Sequence, residues 1–456
     1  MTVISKKINL TVIVISILLF CSILYFPILV NQQAQHAFAL LIMVAILWIS
    51  EAVPLALTGL LIPVIAAFMQ LVSPKEAFKE FGNPIIFLFM GGFVLAGALS
   101  KYSLDKRLAQ KLIGFARGNF YWSSILLMLA TSLLACWVSN TSSAVMMIPL
   151  GLGMLVLAKR NIVSPESKFL MLGIAYSANI GGIITMIATP PNAIGAAILG
   201  LSFSEWMMYG LPIFAITFPL MVIVLTLFFK PDKKLNIGTM VVQYEKNAPN
   251  KTLAAIFLFT VMLWVLDGVI APLLNITSGF NSLVAIIAIF LLFITKVLNW
   301  DEIINSIQWE VLLLFGAGLT LGMLIDQSGL GMILVSKVSQ LITVIPLIFF
   351  LWIIVLFSII LTEFMSNTAS AALILPLLFT MATQLHINPM ILVFPATIAT
   401  SYGFMMPVGT PPNAMVYATG LVLQKNMIKA GFILNMLFSI ILTLFFYLIF
   451  HKNISL

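Results

Sequence analysis

Apolar segments of about 20 residues recur from one end of the chain to the other, and this pattern restricts the fold more than any other feature of the sequence. A membrane-spanning helix needs about 20 apolar residues, whereas a barrel strand would alternate in polarity over about 10. The composition agrees, since 62% of the residues are hydrophobic and only 8% are charged. The sequence therefore predicts an all-α, polytopic membrane protein with about 11 transmembrane helices.

Two of the apolar segments, residues 121–158 and 341–383, are about twice as long as one span. Each carries a Ser-Asn-Thr triplet near its middle, where polar groups are costly in hydrocarbon. We therefore predict two re-entrant helical hairpins, each entering and leaving on one side of the membrane with its tip near the midplane.

The triplets belong to an internal duplication. Three pairs of similar blocks occur in the same order: residues 87–97 and 312–322, Ser-Asn-Thr at 139–141 and 366–368, and Thr-Pro-Pro-Asn at 189–192 and 410–413. Their offsets of 225, 227 and 221 positions are nearly equal, which indicates two repeats. The paired prolines interrupt apolar segments, so each repeat is expected to contain a broken helix at the binding site.

The basic residues indicate how the chain crosses the membrane. If both long segments are hairpins, 18 of the 22 basic residues lie on one side, and the exceptions are Lys75, Lys79, Lys337 and Lys452. Basic residues concentrate on the cytoplasmic side, so the N-terminus is expected inside and the C-terminus outside, in the inner membrane of a bacterium. The two hairpins then open to opposite sides. Inverted repeats around a midplane site are typical of secondary transporters.

The hairpin tips and helix breaks offer groups for two kinds of ligand. Hydroxyls, amide oxygens and the carbonyls freed before the prolines, near Ala188 and Gly409, suit a hard monovalent cation. The helix that resumes after each break presents free amides and a partial positive charge, which favour an anion. Neither motif contains a Lys or Arg, so bound cations are expected to help neutralise the anion and thereby couple the two ligands.

Some of these residues also allow other interpretations. Single Ser and Thr residues often serve only helix packing, but a duplicated pair of motifs argues against that here. Glu363, three positions before Ser366, is interpreted as a carboxylate paired in the hairpin wall, with proton relay as the alternative. The chain lacks the HExxH, GxSxG and phosphate-loop motifs, which argues against an enzyme and against ATP drive. The basic residues lie in loops beside spans, so a nucleic-acid partner is not expected.

The paired motifs resemble those of the divalent anion/sodium symporter family, the sodium-coupled carriers of carboxylates and sulfate. The resemblance covers essentially the whole chain. It implies a homodimer and an elevator mechanism, in which a transport domain moves against a fixed scaffold. The implied division is scaffold at 1–118, transport domain at 119–229, a cytoplasmic linker at 230–251, scaffold at 252–340 and transport domain at 341–456.

The resemblance also implies two sodium sites and a shared substrate site. The first sodium site would use Ser139, Asn140 and the carbonyl of Ala188, and the second would use Thr362, Ser366, Asn367 and the carbonyl of Gly409. Substrate would contact Asn140, Thr141, Thr189 and Pro190 from one repeat and Asn367, Thr368, Thr410 and Pro411 from the other. Ala135 stands where the second repeat has Thr362, so the two sodium sites are expected to be unequal.

These features together predict sodium-coupled symport of a small dicarboxylate, of the succinate, malate and fumarate class, into the cytoplasm. The expected partners are this anion, sodium ions, membrane lipid and a second copy of the chain, without an organic cofactor. A sodium-independent dicarboxylate exchanger is the main alternative. A sulfate or tricarboxylate carrier and an anion channel are weaker ones.

Overall fold

The computed structural model describes residues 9–26, 28–102, 107, 111–160, 162–238, 250–342 and 345–450, except for the side chains of 337–342. The described part is helical, and its only β-type pairing is a bridge between Asn119 and Asn236. The first repeat contains α1 (Leu10–Tyr25), α2 (Gln32–Ser50), α3 (Leu55–Phe68), α4 (Pro74–Ala77), α5 (Pro84–Lys101), α6 (Phe120–Ala135), α7 (Asn140–Leu157), α8 (Pro165–Gly181), α9 (Pro190–Leu199) and α10 (Phe203–Phe229).

The second half of the chain contains eleven further described helices. They are α11 (Lys251–Val265), α12 (Asp267–Leu273), α13 (Phe280–Ile294), α14 (Trp300–Ser306), α15 (Trp309–Gln327), α16 (Leu330–Ile342), α17 (Leu347–Phe364), α18 (Asn367–Gln384), α19 (Pro389–Ala399), α20 (Pro411–Ala418) and α21 (Gln424–Phe450). Seven described helices are long and apolar enough to cross a membrane: α2, α5, α7, α10, α15, α17 and α21. The number becomes eight if α11 and α12 form one bent span.

Two predicted segments differ from the structure. Residues 252–272 form one continuous apolar segment, from which the sequence predicts a single span, but they form two helices, α11 and α12, that meet at an angle of 80°. The turn at Leu266 brings the Asp267 carboxylate to the start of α10, where it accepts hydrogen bonds from the backbone N–H of Phe203 at 2.9 Å and of Ser204 at 3.4 Å. In addition, α16 fills a stretch that the sequence pattern left unassigned. At 13 residues it is too short to cross a membrane.

The helices α6–α10 and α17–α21 repeat one packing arrangement. In the first set α6 and α7 form a hairpin that packs against α8, and α10 packs against α8 from another side. In the second set α17 and α18 form the hairpin, and both α18 and α21 pack against α19. The short helices are exchanged: α9 packs against α18 and α19, whereas α20 packs against α7 and α8. Each helix that follows a break therefore lies on the hairpin of the other repeat.

The remaining long helices are also paired across the repeats. α5 packs against α13, and α15 packs against α3. The aligned glycines of the duplicated block make close approaches possible in both halves. A Cβ at Gly91 would lie 2.9 Å from the Cα of Ala285, and one at Gly316 would lie 3.0 Å from the Cα of Phe81. Side chains larger than hydrogen would push α5 away from α13 and α15 away from the 3-10 turn at Lys79–Gly82.

The described start of the predicted 230–251 linker is attached to the start of α6. The N–H of Phe120 donates to the carbonyl of Leu235 at 2.9 Å, and the N–H of Ile237 donates to the carbonyl of Gly118 at 2.8 Å. Residues 239–249 lie outside the described part of the chain. The end of the predicted scaffold segment 1–118 also falls partly outside it, at 103–106 and 108–110.

Removal of the Asp267 carboxylate is expected to destabilise the protein. This 3% exposed side chain accepts from two backbone amides, from the Ser204 hydroxyl and, at 2.8 Å, from the Asn281 amide. Asp267→Ala leaves these donors buried without an acceptor, which we expect to lower the free energy of unfolding by about 3 kcal/mol. Thermal unfolding in detergent measures the effect.

Asp326→Ala is the matched control, because Asp326 is an exposed acidic residue on α15. Surface substitutions of this kind change stability by about 0.5 kcal/mol or less. Equal unfolding temperatures of the two variants would contradict the role assigned to Asp267.

Candidate functional site

The two copies of Ser-Asn-Thr and the two copies of Thr-Pro-Pro-Asn form the N-termini of four helices. Ser139 is the N-cap of α7, Thr189 of α9, Ser366 of α18 and Thr410 of α20. In α9 and α20 the first helical residue is a proline, whose fixed φ suits that position and whose missing N–H removes no helical bond there. The first turns of these helices carry free backbone amides and partial positive charge.

An unwound stretch precedes each Thr-Pro-Pro-Asn motif, as the prolines predict. In the first repeat it runs from 182 to 188 and in the second from 400 to 409. Thr189 and Thr410 have almost the same extended conformation, with φ/ψ of −137°/146° and −144°/149°. The two repeats therefore break their helices in the same way.

The asparagine that closes each motif holds the unwound stretch in place. The Nδ2 of Asn192 donates to the carbonyls of Gly182 and Thr185, both at 2.8 Å. The Nδ2 of Asn413 donates to Gly403 at 2.8 Å and to Met406 at 3.0 Å. Both asparagines are fully buried, so each supplies donors to carbonyls that have lost their helical partners.

Two glycines outside the sequence motifs support the same stretches. A Cβ at Gly210 on α10 would lie 2.6 Å from the carbonyl oxygen of Ile183, and one at Gly431 on α21 would lie 2.7 Å from the backbone nitrogen of Met405. Only glycine permits this approach. Gly210 and Gly431 are 221 positions apart, the offset of the Thr-Pro-Pro-Asn motifs, and that equality is the signal by which the sequence could have revealed them.

Four oxygen atoms converge beside the hairpin tip of the second repeat. The Oδ1 of Asn367 lies 2.6 Å from the Oγ1 of Thr362, 3.1 Å from the carbonyl oxygen of Gly409 and 3.3 Å from that of Thr400. The Thr362 hydroxyl also donates to the Thr400 carbonyl at 2.7 Å. The structure thus brings together three of the predicted residues and adds Thr400, which the sequence analysis missed.

This cluster can be satisfied in two ways. A half-turn of the Asn367 amide would let its NH2 donate to Thr362, Thr400 and Gly409. Alternatively, the amide oxygen stays and a cation lies among the four oxygens. Neutral oxygens of this kind are ligands for hard cations. The described residues contain no group of three or more His, Cys, Asp or Glu side chains that could hold a metal ion.

Glu363 binds the unwound stretch 400–409 beside the second cluster. Its carboxylate, 2% exposed, accepts from the N–H of Met405 and of Met406 at 2.8 Å and from the Asn435 amide at 2.7 Å. These partners are neutral donors that an ionised carboxylate in the hairpin wall can accept from. Tyr176 of the first repeat binds the same stretch, since its hydroxyl donates to the Phe404 carbonyl at 2.8 Å.

The tip of the first repeat has a different set of contacts. The hydroxyls of Ser139 and Ser142 are 2.9 Å apart, and the Nδ2 of Asn140 lies 3.4 Å from the Oδ1 of Asn179 on α8. The Oδ1 of Asn140 is buried, has no hydrogen-bond partner and faces Gly182. Ala135 offers no hydroxyl here, as the sequence indicates.

The remaining predicted residues lie around these two tips. Thr141 and Thr368 are the second residues of α7 and α18 and are half-buried. Thr189 is 4% exposed, and its hydroxyl has no partner. Pro190 is half-buried, Pro411 is exposed, Ala188 is buried directly before Thr189, and Ser366 is half-buried without a side-chain cap bond.

A side-chain contact joins the helix breaks of the two repeats. The Nδ2 of Asn179 donates to the Oγ1 of Thr410 at 3.1 Å, between positions 231 apart in the chain. Among the described residues the buried charged side chains are Glu166, Asp267 and Glu363, and no Lys or Arg is buried. An anion in this site would therefore depend on helix N-termini, hydroxyls and amides, together with any bound cation.

Comparison with known proteins gives one consistent family. A model of the citrate transporter family (CitMHS) matches residues 45–399. An uncharacterized transporter of Haemophilus influenzae is 40% identical over 92% of this chain and 93% of its own length. The sodium-dependent dicarboxylate transporter SdcS of Staphylococcus saprophyticus is 34% identical over 93% of this chain and 88% of its own.

Solved structures share the fold at low sequence identity. The YdaH transporter of Alcanivorax borkumensis has a TM-score of 0.56 and 16% identity, covering 86% of this chain and 89% of its own. MtrF of Neisseria gonorrhoeae has a TM-score of 0.52 and 13% identity, covering 94% and 96%. Both are transporters. The chain therefore belongs to the citrate-transporter family of integral membrane transporters, of the divalent anion/sodium symporter type, and not to a family of enzymes.

Proposed function

We propose that this transporter is a sodium-coupled carrier that brings a small dicarboxylate, of the succinate, malate and fumarate class, into the cytoplasm. The observation that carries the proposal is the cluster in which the Asn367 amide meets three neutral oxygens, from Thr362, Thr400 and Gly409, at the N-termini of α18 and α20. A cation held there lies next to the place where two helices attract an anion.

Sodium fits the second cluster by its chemistry. Its ligands would be one hydroxyl, one amide oxygen and two backbone carbonyls, with Ser366 beside them at the N-cap of α18. In the first repeat Ser139, Asn140 and the Ala188 carbonyl would form a weaker site. The orphaned Oδ1 of Asn140 supports this assignment, because a buried acceptor without a donor is costly unless a ligand satisfies it.

The dicarboxylate would be bound between the repeats. One carboxylate would meet Asn140, Thr141 and the start of α9 at Thr189 and Pro190. The other would meet Asn367, Thr368 and the start of α20 at Thr410 and Pro411. Since no buried Lys or Arg is found among the described residues, the two negative charges would be balanced by sodium and helix ends. Sodium binding would therefore precede substrate binding.

The movement that carries the site across the membrane would be of the elevator type. The exchange of α9 and α20 between the repeats supports a single transport domain, made of 119–229 and 341–456. Residues 1–118 and 252–340 would form the scaffold and the interface of a homodimer. The repeats would be inverted, with re-entrant hairpins opening to opposite sides, the N-terminus cytoplasmic and the C-terminus outside.

A sodium-independent dicarboxylate exchanger is a second candidate. The half-turn of the Asn367 amide favours it, because the rotated amide satisfies the oxygen cluster without a cation. Such a carrier would exchange one dicarboxylate for another.

Uptake measurements distinguish the two candidates. The purified protein in liposomes should accumulate labelled succinate when an inward sodium gradient is applied, and replacement of sodium by potassium should reduce uptake at least tenfold. Uptake that is independent of sodium but requires internal succinate would support the exchanger instead.

The two tip asparagines should both be essential. Asn140→Ala and Asn367→Ala are expected to abolish transport, because each removes an amide at the start of a site-lining helix. Size-exclusion chromatography and thermal unfolding should show that the variants remain folded. Full transport by either variant would contradict the site.

Loss of the Thr362 hydroxyl should weaken sodium binding more than it destabilises the fold. Thr362→Val keeps the side-chain shape but removes one oxygen, so the sodium concentration for half-maximal uptake should rise about tenfold. Ser358→Ala is the matched control one helical turn earlier, where the hydroxyl bonds only the Ile354 carbonyl of its own helix at 2.8 Å. Equal sodium dependence of both variants would contradict the second site.

A further inference from the structure

Asn179 occupies the position where the two repeats meet, and the sequence motifs do not include it. The residue is fully buried on α8 of the first repeat. Its Oδ1 lies 3.4 Å from the Nδ2 of Asn140, and its Nδ2 donates to the Oγ1 of Thr410 at 3.1 Å. Both ends of its amide are therefore engaged, one with each repeat.

The contacts fix the direction of a chain of hydrogen bonds. A carboxamide accepts at its oxygen and donates at its nitrogen, so Asn140 donates to Asn179, which donates to Thr410. Thr410 Oγ1 also accepts from the N–H of Asn413 at 3.3 Å. With both of its lone pairs engaged, the Thr410 hydroxyl is left to act as a donor.

The first end of this chain is an unsatisfied acceptor. The Oδ1 of Asn140 is buried and has no hydrogen-bond partner. A cation at this oxygen would hold the Asn140 amide so that its NH2 points at Asn179. At the other end of the hydrogen-bond chain, the Thr410 hydroxyl hydrogen lies at the N-terminus of α20, where it can bind a carboxylate.

We propose that Asn179 is a positioning residue that couples the first cation site to substrate binding, by orienting the Thr410 hydroxyl as a donor. The inference rests on the proposed function and adds a residue and a route to it. The described residues of the second repeat show no such side-chain relay: Thr400 stands 221 positions after Asn179, and its hydroxyl donates to the Thr397 carbonyl of the preceding helix α19 at 2.7 Å. Coupling by this route therefore runs from the first cation site to the second repeat.

Asn179→Ala tests the relay through binding constants. In the native protein sodium should tighten succinate binding, as measured by calorimetry on the detergent-solubilised full chain. In Asn179→Ala the Kd for succinate in sodium should rise about tenfold, the usual effect of one lost hydrogen bond to a charged group, while the Kd in potassium stays unchanged. An equal rise in both salts, or no rise, would overturn the proposal.

Two further variants separate positioning from packing. Ser177→Ala is the matched control on α8, since Ser177 is fully buried and its hydroxyl meets only the sulfur of Met221, at 3.9 Å. It should leave both Kd values unchanged. If Asn179 acts through Thr410, Asn179→Ala should add nothing to the effect of Thr410→Val, and additive effects would overturn the relay.

Sodium binding measured without substrate tests the relay independently of the identity of the substrate. The relay predicts that sodium, relative to potassium, raises the unfolding temperature of the native protein and does so less in Asn179→Ala. A native protein that responds to sodium but not to succinate would refute the dicarboxylate proposal and still test the relay. A native protein that does not respond to sodium would overturn the relay.

Discussion

The structure of this transporter depends on how it satisfies the backbone groups that lose their helical hydrogen bonds at two helix breaks. Inside a membrane a carbonyl or amide without a partner is costly, and water is not at hand to satisfy it. The prolines after Thr189 and Thr410 nevertheless end the helical hydrogen bonding in both repeats. Buried side chains then satisfy part of each unwound stretch, chiefly Asn192 in the first repeat and Asn413 with Glu363 in the second. The groups that stay available are those that face the site.

The two repeats satisfy these backbone groups with different side chains. In the second repeat Glu363 binds the amides of Met405 and Met406, and the Thr362 hydroxyl reaches the Thr400 carbonyl. In the first repeat the positions aligned with Glu363 and Thr362 are Cys136 and Ala135. A buried carboxylate and an extra hydroxyl make the second tip richer in oxygen ligands. The first tip has instead an asparagine pair, Asn140 and Asn179, that leads to the other repeat.

Much of the fold and site could be predicted from the sequence, because the relevant signals are local. The duplicated motifs predict the hairpin tips and helix breaks, and Thr362, Asn367 and Gly409 do meet. Asn179 was missed because it lies in the last turn of α8, and Thr400 because it is the C-cap of α19, where one polar residue is not distinctive. Gly210 and Gly431 were missed because a glycine in an apolar helix shows nothing of what it packs against. The bend at Leu266 was missed because the contact that accompanies it, between Asp267 and α10, joins residues more than 60 positions apart.

The sequence by itself determined the membrane class, the duplication, the positions of the breaks and the neutral character of the site. These follow from hydropathy, from proline geometry and from the absence of basic residues in the motifs, all of which act locally along the chain. Only the tertiary structure decided that α9 and α20 pack on the opposite repeats and that Asn179 reaches Thr410. Contacts between residues more than 200 positions apart depend on how helices pack, and no local pattern encodes which side chains then face each other.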